Sequence, residues 1–382
     1  MPVAKEKKEK VVKEKAVKAV KEKAVKEKVV KEKVVKKKKE KEGAKYVANG
    51  TYGCVLKPAD VCPQMKLERK TSRNKVSKLF NSVKAADEEY KIQYDLIKSI
   101  DPRGAFTVKM FEKCPVKYED FKKDEIDRCK HGYEPMFYPT IPVKDIKDVI
   151  HNSIINIVYE DGGMDLSHLP VSTTFEEVFL AMKPLVSGMV KLNAAKLSHT
   201  DIKPDNLVYK KNKVSLIDFG LSCEEKKVYT KEMNFAHIHP YPYYPPEFIE
   251  FANHFGPMFQ QLRPINLSRN YHYLFEAANK TNRSSRSIVD PSFLSLSHNL
   301  DSLFTSGYSD DDLFDPSKVD IFSLGATWLI LYYVMAQKRK RDYREIETLI
   351  LGMLQPIAKH RFDSKQVRKY YNLIWKQMKS IK

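Results

Sequence analysis

The sequence predicts an α+β fold, and three observations carry that expectation. Short apolar runs rich in β-branched residues sit at 154–158, 207–209 and 214–217, a length that reads as strand. The last two flank a Lys-Lys-Asn-Lys turn and so read as a hairpin. Longer stretches read as helix: an amphipathic one from Asp87 with Ile92, Leu96, Ile97 and Ile100, one over 175–192, and the apolar run 321–336. That last run is shorter than the roughly 20 residues a bilayer requires and contains Ser323, Gly325 and Thr327, so a buried helix is expected.

The chain has 382 residues, 42% of them hydrophobic, enough for two or three compact units. Its formal net charge of +19 is uneven, because residues 1–42 carry 18 Lys and 8 Glu, over half of the excess. Residues 1–44 read as a basic low-complexity tail built on five-residue units such as Val-Val-Lys-Glu-Lys, and the folded part is expected to begin near Lys45. On a helix, five residues advance by about 140° net, so the valines spiral and form no apolar stripe. Pairs such as Glu14–Lys18 and Glu27–Lys31 favour a solitary helix; a disordered tail is the other reading. The tail is either an electrostatic arm for nucleic acid or an anionic surface, or a solvated extension. Interleaved Glu and absent aromatics favour the second.

Lys interrupts the N-terminus every few residues, unlike a secretory signal. The five cysteines, Cys54, Cys62, Cys114, Cys129 and Cys223, are odd in number and lack CxxC spacing. They argue against a disulfide framework and for an intracellular, reducing compartment. A metal shared by Cys62, Cys114 and Cys129 is the weaker rival.

His199-Thr200-Asp201-Ile202-Lys203-Pro204-Asp205-Asn206 is followed, twelve positions after Asn206, by Asp218-Phe219-Gly220. These strings resemble the catalytic loop and metal-binding triplet of eukaryotic-like protein kinases. Lys203 gives the loop the form of the serine/threonine class. The resemblance implies transfer of the ATP γ-phosphoryl group to Ser or Thr of a protein, with magnesium, by positioning and charge neutralisation. Asp201 would accept the proton of the attacking hydroxyl, and Lys203 would sit against the transferring phosphate. Asn206 and Asp218 would hold magnesium from two walls of the cleft. The fold implied is bilobal, with a mainly β amino lobe over 45–160 and a mainly helical carboxyl lobe over 161–382. Insertions are expected near 113–150 and 250–315.

The string Val47-Ala48-Asn49-Gly50-Thr51-Tyr52-Gly53-Cys54-Val55 resembles the kinase glycine-rich loop over the nucleotide phosphates. Gly50 and Gly53 match its second and third glycines, Ala48 replaces the first, and Val55 matches the valine on the adenine. For the phosphate-gripping strand lysine, Lys75 and Lys78 compete. Lys78 is preferred because Val76, two residues earlier, shares its face. Its expected partner is Glu89, with Glu88 the alternative. Tyr159-Glu160-Asp161-Gly162-Gly163 resembles the hinge between lobes, so Glu160 is placed at the adenine.

The sequence also departs from the family pattern. Thr200 stands where many kinases have an Arg that pairs with an activation-segment phosphate, which implies activity independent of modification at Tyr229 or Thr230. Pro245-Pro246-Glu247 resembles the end of the activation segment, with Glu247 expected to pair with Arg361. Pro240 occupies the usual substrate-contact position. Residues 319–325 resemble the helix whose Asp, here Asp320, anchors the catalytic loop. Glu247 and Asp320 are 73 residues apart, far more than the family needs, so the inserted segment is read as a docking surface. NGTYGCVLKPA, the His-Thr-Asp loop and the insertions resemble divergent kinases of large nucleocytoplasmic DNA viruses, including those of algae. That would place the chain in host cytoplasm or the virion. A pseudokinase scaffold and a basic nucleic-acid-binding protein on a kinase fold are the alternatives.

Overall fold

The computed structural model describes residues 44–50, 53–59, 62, 74–80, 82–117, 124, 125, 128, 129, 154–229, 243–245, 247, 314–335, 343–355 and 357–380. The basic tail, Thr51, Tyr52, Thr230, Pro240, most of 118–153 and the whole of 248–313 lie outside the described residues.

The first part is a five-stranded antiparallel sheet in the order β1-β2-β3-β5-β4. Its strands are β1 Lys45–Gly50, β2 Gly53–Lys57, β3 Lys75–Phe80, β4 Met110–Val116 and β5 Ile154–Glu160. β1 and β2 form a hairpin paired as far as Gly50↔Gly53. A Cβ on Gly53 would lie 2.2 Å from the Leu79 carbonyl oxygen, so the close approach of β3 demands glycine there whatever the ligand. Residues 113–116 were expected in an insertion but belong to β4. Lys113 pairs with Ile157 and Val116 with Ile154.

α1 Val83–Lys91 follows β3 and is capped by the Ser82 hydroxyl, which accepts from the Ala85 N–H at 3.3 Å. It runs into a wider π-helical turn, Ile92–Ile97, and ends at Ile100. Ile97 is buried while Leu96 faces out.

The expected single helix over 175–192 is two helices, α2 Phe175–Ala181 and α3 Lys183–Ala194. Pro184 is the cause. It has no N–H for the Leu180 carbonyl, and its ring would clash there. The freed Leu180 carbonyl accepts from Trp375 Nε1 at 3.2 Å, and the neighbouring Phe179 carbonyl accepts from the Met182 N–H at 3.1 Å and the Tyr371 hydroxyl at 2.6 Å. α2 starts with a reciprocal cap between Thr174 and Glu177.

β6 Met164–Asp165 pairs with β8 Leu207–Lys210, which forms a hairpin with β9 Lys213–Leu216. The hairpin turn is the two residues Lys211 and Asn212, both left-handed (φ 50° and 58°), which matches the twist of the flanking strands. β7 Leu197–Ser198 and β10 Cys223–Glu224 form a short pair beside the loop they bracket.

α4 Val319–Val334 is apolar on nearly every side and is buried at the centre of the helical part, as such a helix must be. Trp328 of α4 packs on Phe179 and Tyr371 at centroid distances of 5.4 and 5.8 Å. α5 Arg344–Met353 and α6 Ser364–Ser380 complete that core. Among the described residues no helix is long and apolar enough to cross a membrane.

The cysteines overturn the expectation of unpaired thiols. Cys54 is bonded to Cys129 and Cys62 to Cys114, leaving Cys223 free. The bonded partners lie 75 and 52 residues apart, so sequence spacing could not reveal the pairing. The bonds also remove the three thiols of the rival metal reading. No group of three His, Cys, Asp or Glu suited to a metal occurs among the described residues.

Candidate active site

β3 alternates its side chains, so Lys75 and Lys78, three residues apart, face opposite ways. Lys75 lies over the Phe111 ring at 3.9 Å. Lys78 points instead towards α1, where Nζ meets Glu89 Oε2 at 2.7 Å and Asp218 Oδ1 at 3.0 Å. Glu88, the alternative partner, is exposed and sits 3.9 Å from Lys84. Glu89 is 1% exposed. Its second oxygen accepts from the Tyr159 hydroxyl at 2.6 Å.

The charges tune one another. Burial alone would lower the Lys78 pKa, but Asp218 and Glu89 outweigh it and hold the ammonium well above its usual range. Burial likewise pushes Asp218 up, yet Lys78, with smaller help from Lys203, brings it below the usual carboxylate range. Burial pushes Glu89 up against the opposing pull of Lys78 and Tyr159.

The second group lies on the loop between β7 and β8. Asp201 Oδ2 accepts from Asn206 Nδ2 at 2.7 Å and from Lys203 Nζ at 3.0 Å. Asn206 Nδ2 also donates to the Asp201 carbonyl at 2.8 Å, which folds the loop on itself. The Ile217 N–H donates to the Asn206 carbonyl at 3.0 Å, so the residue before Asp218 is tied to the loop that carries Asp201. The two acidic segments are therefore neighbours.

Thr200 and Asp218 both adopt left-handed backbone, with φ 63° and 62°. For a β-branched residue this is costly, and the surroundings must over-determine it. Asp320 of α4 does so, accepting from the N–H groups of His199 at 2.6 Å and Thr200 at 2.8 Å. The Thr200 hydroxyl donates to Leu221 O at 2.7 Å, so the side chain secures the backbone after Gly220. The Asp201 N–H lies 3.3 Å from His199 Nδ1, which makes Nδ1 the acceptor and assigns the ring proton to Nε2, 3.0 Å from Ile217 O. Phe219 packs edge-on against the same ring at 4.8 Å.

The remaining residues singled out in the sequence fall as follows. Val47 and Ala48 are exposed on β1, while Val55 of β2 stands opposite Lys78 in register. Asn49 pairs with Cys54 near the β1–β2 tip, whose Thr51 and Tyr52 lie outside the described residues. Glu160 ends β5, and its N–H donates to Lys109 O at 2.7 Å. The next N–H, of Asp161, donates to Asn74 O at 2.9 Å, so neither of these hinge donors is left for a base. Glu247 and Arg361 pair through two bonds, at 2.6 and 2.9 Å, with no exposed side-chain surface.

Two features escaped the sequence reading. Tyr159 is one, because nothing in an apolar strand marks its hydroxyl. Asp161 is the other. It meets Lys57 of β2 at 2.8 Å and Lys210 of β8 at 2.6 Å. Burial would raise its pKa, but these lysines and the Gly163 N–H hold it below the usual range.

The arrangement offers an ammonium and a carboxylate on one wall and a carboxylate, an amide and a second ammonium on the other. The oxygen donors of Asp218 and Asn206 suit a hard cation. The profile of the protein kinase domain matches residues 151–259, which hold every residue of the loop from His199 to Gly220. The chain is similar to the nitrogen permease reactivator protein of Saccharomyces cerevisiae, at 29% identity over 42% of this chain and 21% of that protein. It is also similar to mitogen-activated protein kinase kinase 9 of Arabidopsis thaliana, at 38% identity over 20% of this chain and 24% of that protein. The chain thus spans less than a quarter of the length of either relative. These likenesses, with the α+β fold, support a eukaryotic-like protein kinase domain in this chain.

Proposed function

We propose that the chain transfers the γ-phosphoryl group of ATP to Ser or Thr hydroxyls of a protein. The single observation that carries this reading is the convergence of Lys78, Glu89 and Asp218 within 3.0 Å contacts, next to a loop that fixes Asp201, Lys203 and Asn206. Lys78 would hold the α- and β-phosphate oxygens, with Glu89 keeping it in place. Asp201, oriented by Asn206, would accept the proton of the incoming hydroxyl. Lys203, 3.0 Å from Asp201, would neutralise charge on the transferring group. Asn206 and Asp218 would hold magnesium, which supplies charge neutralisation across the phosphates. The serine/threonine class is supported by Lys203 in its place beside Asp201.

Thr200 gives no cationic group for an activation-segment phosphate, which supports a loop that is set without one. Asp320 and Leu221 O already hold it. A scaffold without catalysis would have no need of the costly buried charges around Lys78. If the chain is viral, the two disulfides favour the particle over host cytoplasm, where thiols are kept reduced.

Asp201→Asn tests the reading. Transfer of labelled phosphate from ATP to protein, including to the chain itself, should fall by at least about a hundredfold. Nucleotide binding should persist. Turnover retained by Asp201→Asn would end the assignment.

A further inference from the structure

Glu89 is buried, and among the described residues its carboxylate has two hydrogen-bond donors. Lys78 Nζ takes Oε2 at 2.7 Å and the Tyr159 hydroxyl takes Oε1 at 2.6 Å. Tyr159 lies in β5, opposite Val76 of β3 and Met110 of β4. Its ring is wedged with Phe80, Ala86, Ile157 and Val208, and the residue is 5% exposed. The packing holds the ring and leaves the hydroxyl aimed at α1.

An ammonium has three N–H donors. Lys78 spends one on Glu89 and one on Asp218, at 2.7 and 3.0 Å. A buried carboxylate oxygen without a donor is costly. Were Oε1 bare, the cheapest remedy would be for Nζ to bridge both Glu89 oxygens. That would spend the third N–H and draw Nζ back towards α1. The phenol removes the demand.

We infer that Tyr159 is a positioning residue for phosphate binding: by occupying Glu89 Oε1 it keeps the third Lys78 N–H available for a phosphate oxygen of the nucleotide. This rests on the nucleotide-dependent function proposed above. The role belongs to the hydroxyl, not the ring, and it acts on the phosphates, not on the base.

Tyr159→Phe in the full chain tests it, since the ring and its packing are kept. Calorimetric binding of adenosine should stay within about twofold of wild type, while magnesium-ADP should weaken about tenfold, the scale of one hydrogen bond to a charged group. KM for ATP should rise by a similar factor, with kcat changed by less than about threefold, because the lost interaction serves ground and transition states alike. In a Lys78→Met background the same substitution should leave ADP affinity unchanged. Equal losses for adenosine and ADP, no loss for either, or an undiminished effect without Lys78 would each overturn the inference. A wild-type chain that binds ADP but transfers no phosphate would remove the proposed function and leave the adenosine–ADP contrast to decide the role of Tyr159. A wild-type chain that binds neither would remove both.

Discussion

Glu247 and Arg361 show what a single residue can decide here. Both side chains are fully buried, and the guanidinium also donates to Gln355 O at 2.9 Å and lies 5.0 Å from the Phe322 ring. Losing one partner strands a charge in a dry site, whereas losing both leaves an apolar gap that side chains of similar volume can fill. Arg361→Met should therefore destabilise the chain by about 3–5 kcal/mol, a large share of the roughly 5–15 kcal/mol that holds an ordinary domain folded. Combined with Glu247→Leu it should recover most of that loss. Chemical denaturation of the two single variants and the double one checks this. A double variant no better than Arg361→Met would show that the pair contributes something beyond mutual neutralisation.

Among the elements, the break between α2 and α3 depends on side chains nearly 200 positions away. Pro184 frees the Leu180 carbonyl, to which Trp375 of α6 donates, and Tyr371 of α6 donates to the adjacent Phe179 O. The break is thus an anchor for the last helix as much as an interruption. Tyr371→Phe keeps the ring against Trp328 and Phe179 but removes the donor to Phe179 O. The expected cost is about 1–2 kcal/mol, read as a lower melting temperature. An unchanged melting point would mean that the Met182 N–H, 3.1 Å from the same carbonyl, satisfies it alone.

Across the whole molecule, Asp161 joins the sheet to the hairpin part through Lys57 and Lys210. Its carboxyl is held below its usual range, so the folded state binds the proton less readily than the unfolded one. The stabilisation is then fully present above the unfolded value of about 4 and is lost as pH falls through the lower folded value. Asp161→Asn should lower the melting temperature at neutral pH, and the deficit should shrink below pH of about 4. A deficit that is the same at both ends would assign Asp161 a role other than ion pairing.

Residues 199–206 and 218–220 resemble a kinase catalytic loop and metal-binding triplet, and through that resemblance the grouping of Asp201, Lys203, Asn206 and Asp218 was legible from the chain alone. So were Lys78 over Lys75, from strand alternation, and the hairpin between Asn206 and Asp218, from its polar turn. Where the chain alone left two readings, contacts between distant segments supplied the answer. Burial of Glu89 beside Lys78, with Glu88 on the solvent side of the same helix, separated two adjacent carboxylates. The cysteine pairs, the Tyr159 hydroxyl on Glu89 and the lysines on Asp161 had no local signature, because their partners are 49 to 104 positions away. Local spacing encodes what a short segment must do by itself, such as turn or alternate. Which buried charge is satisfied, and by whom, is settled only when remote segments are packed into the same dry volume.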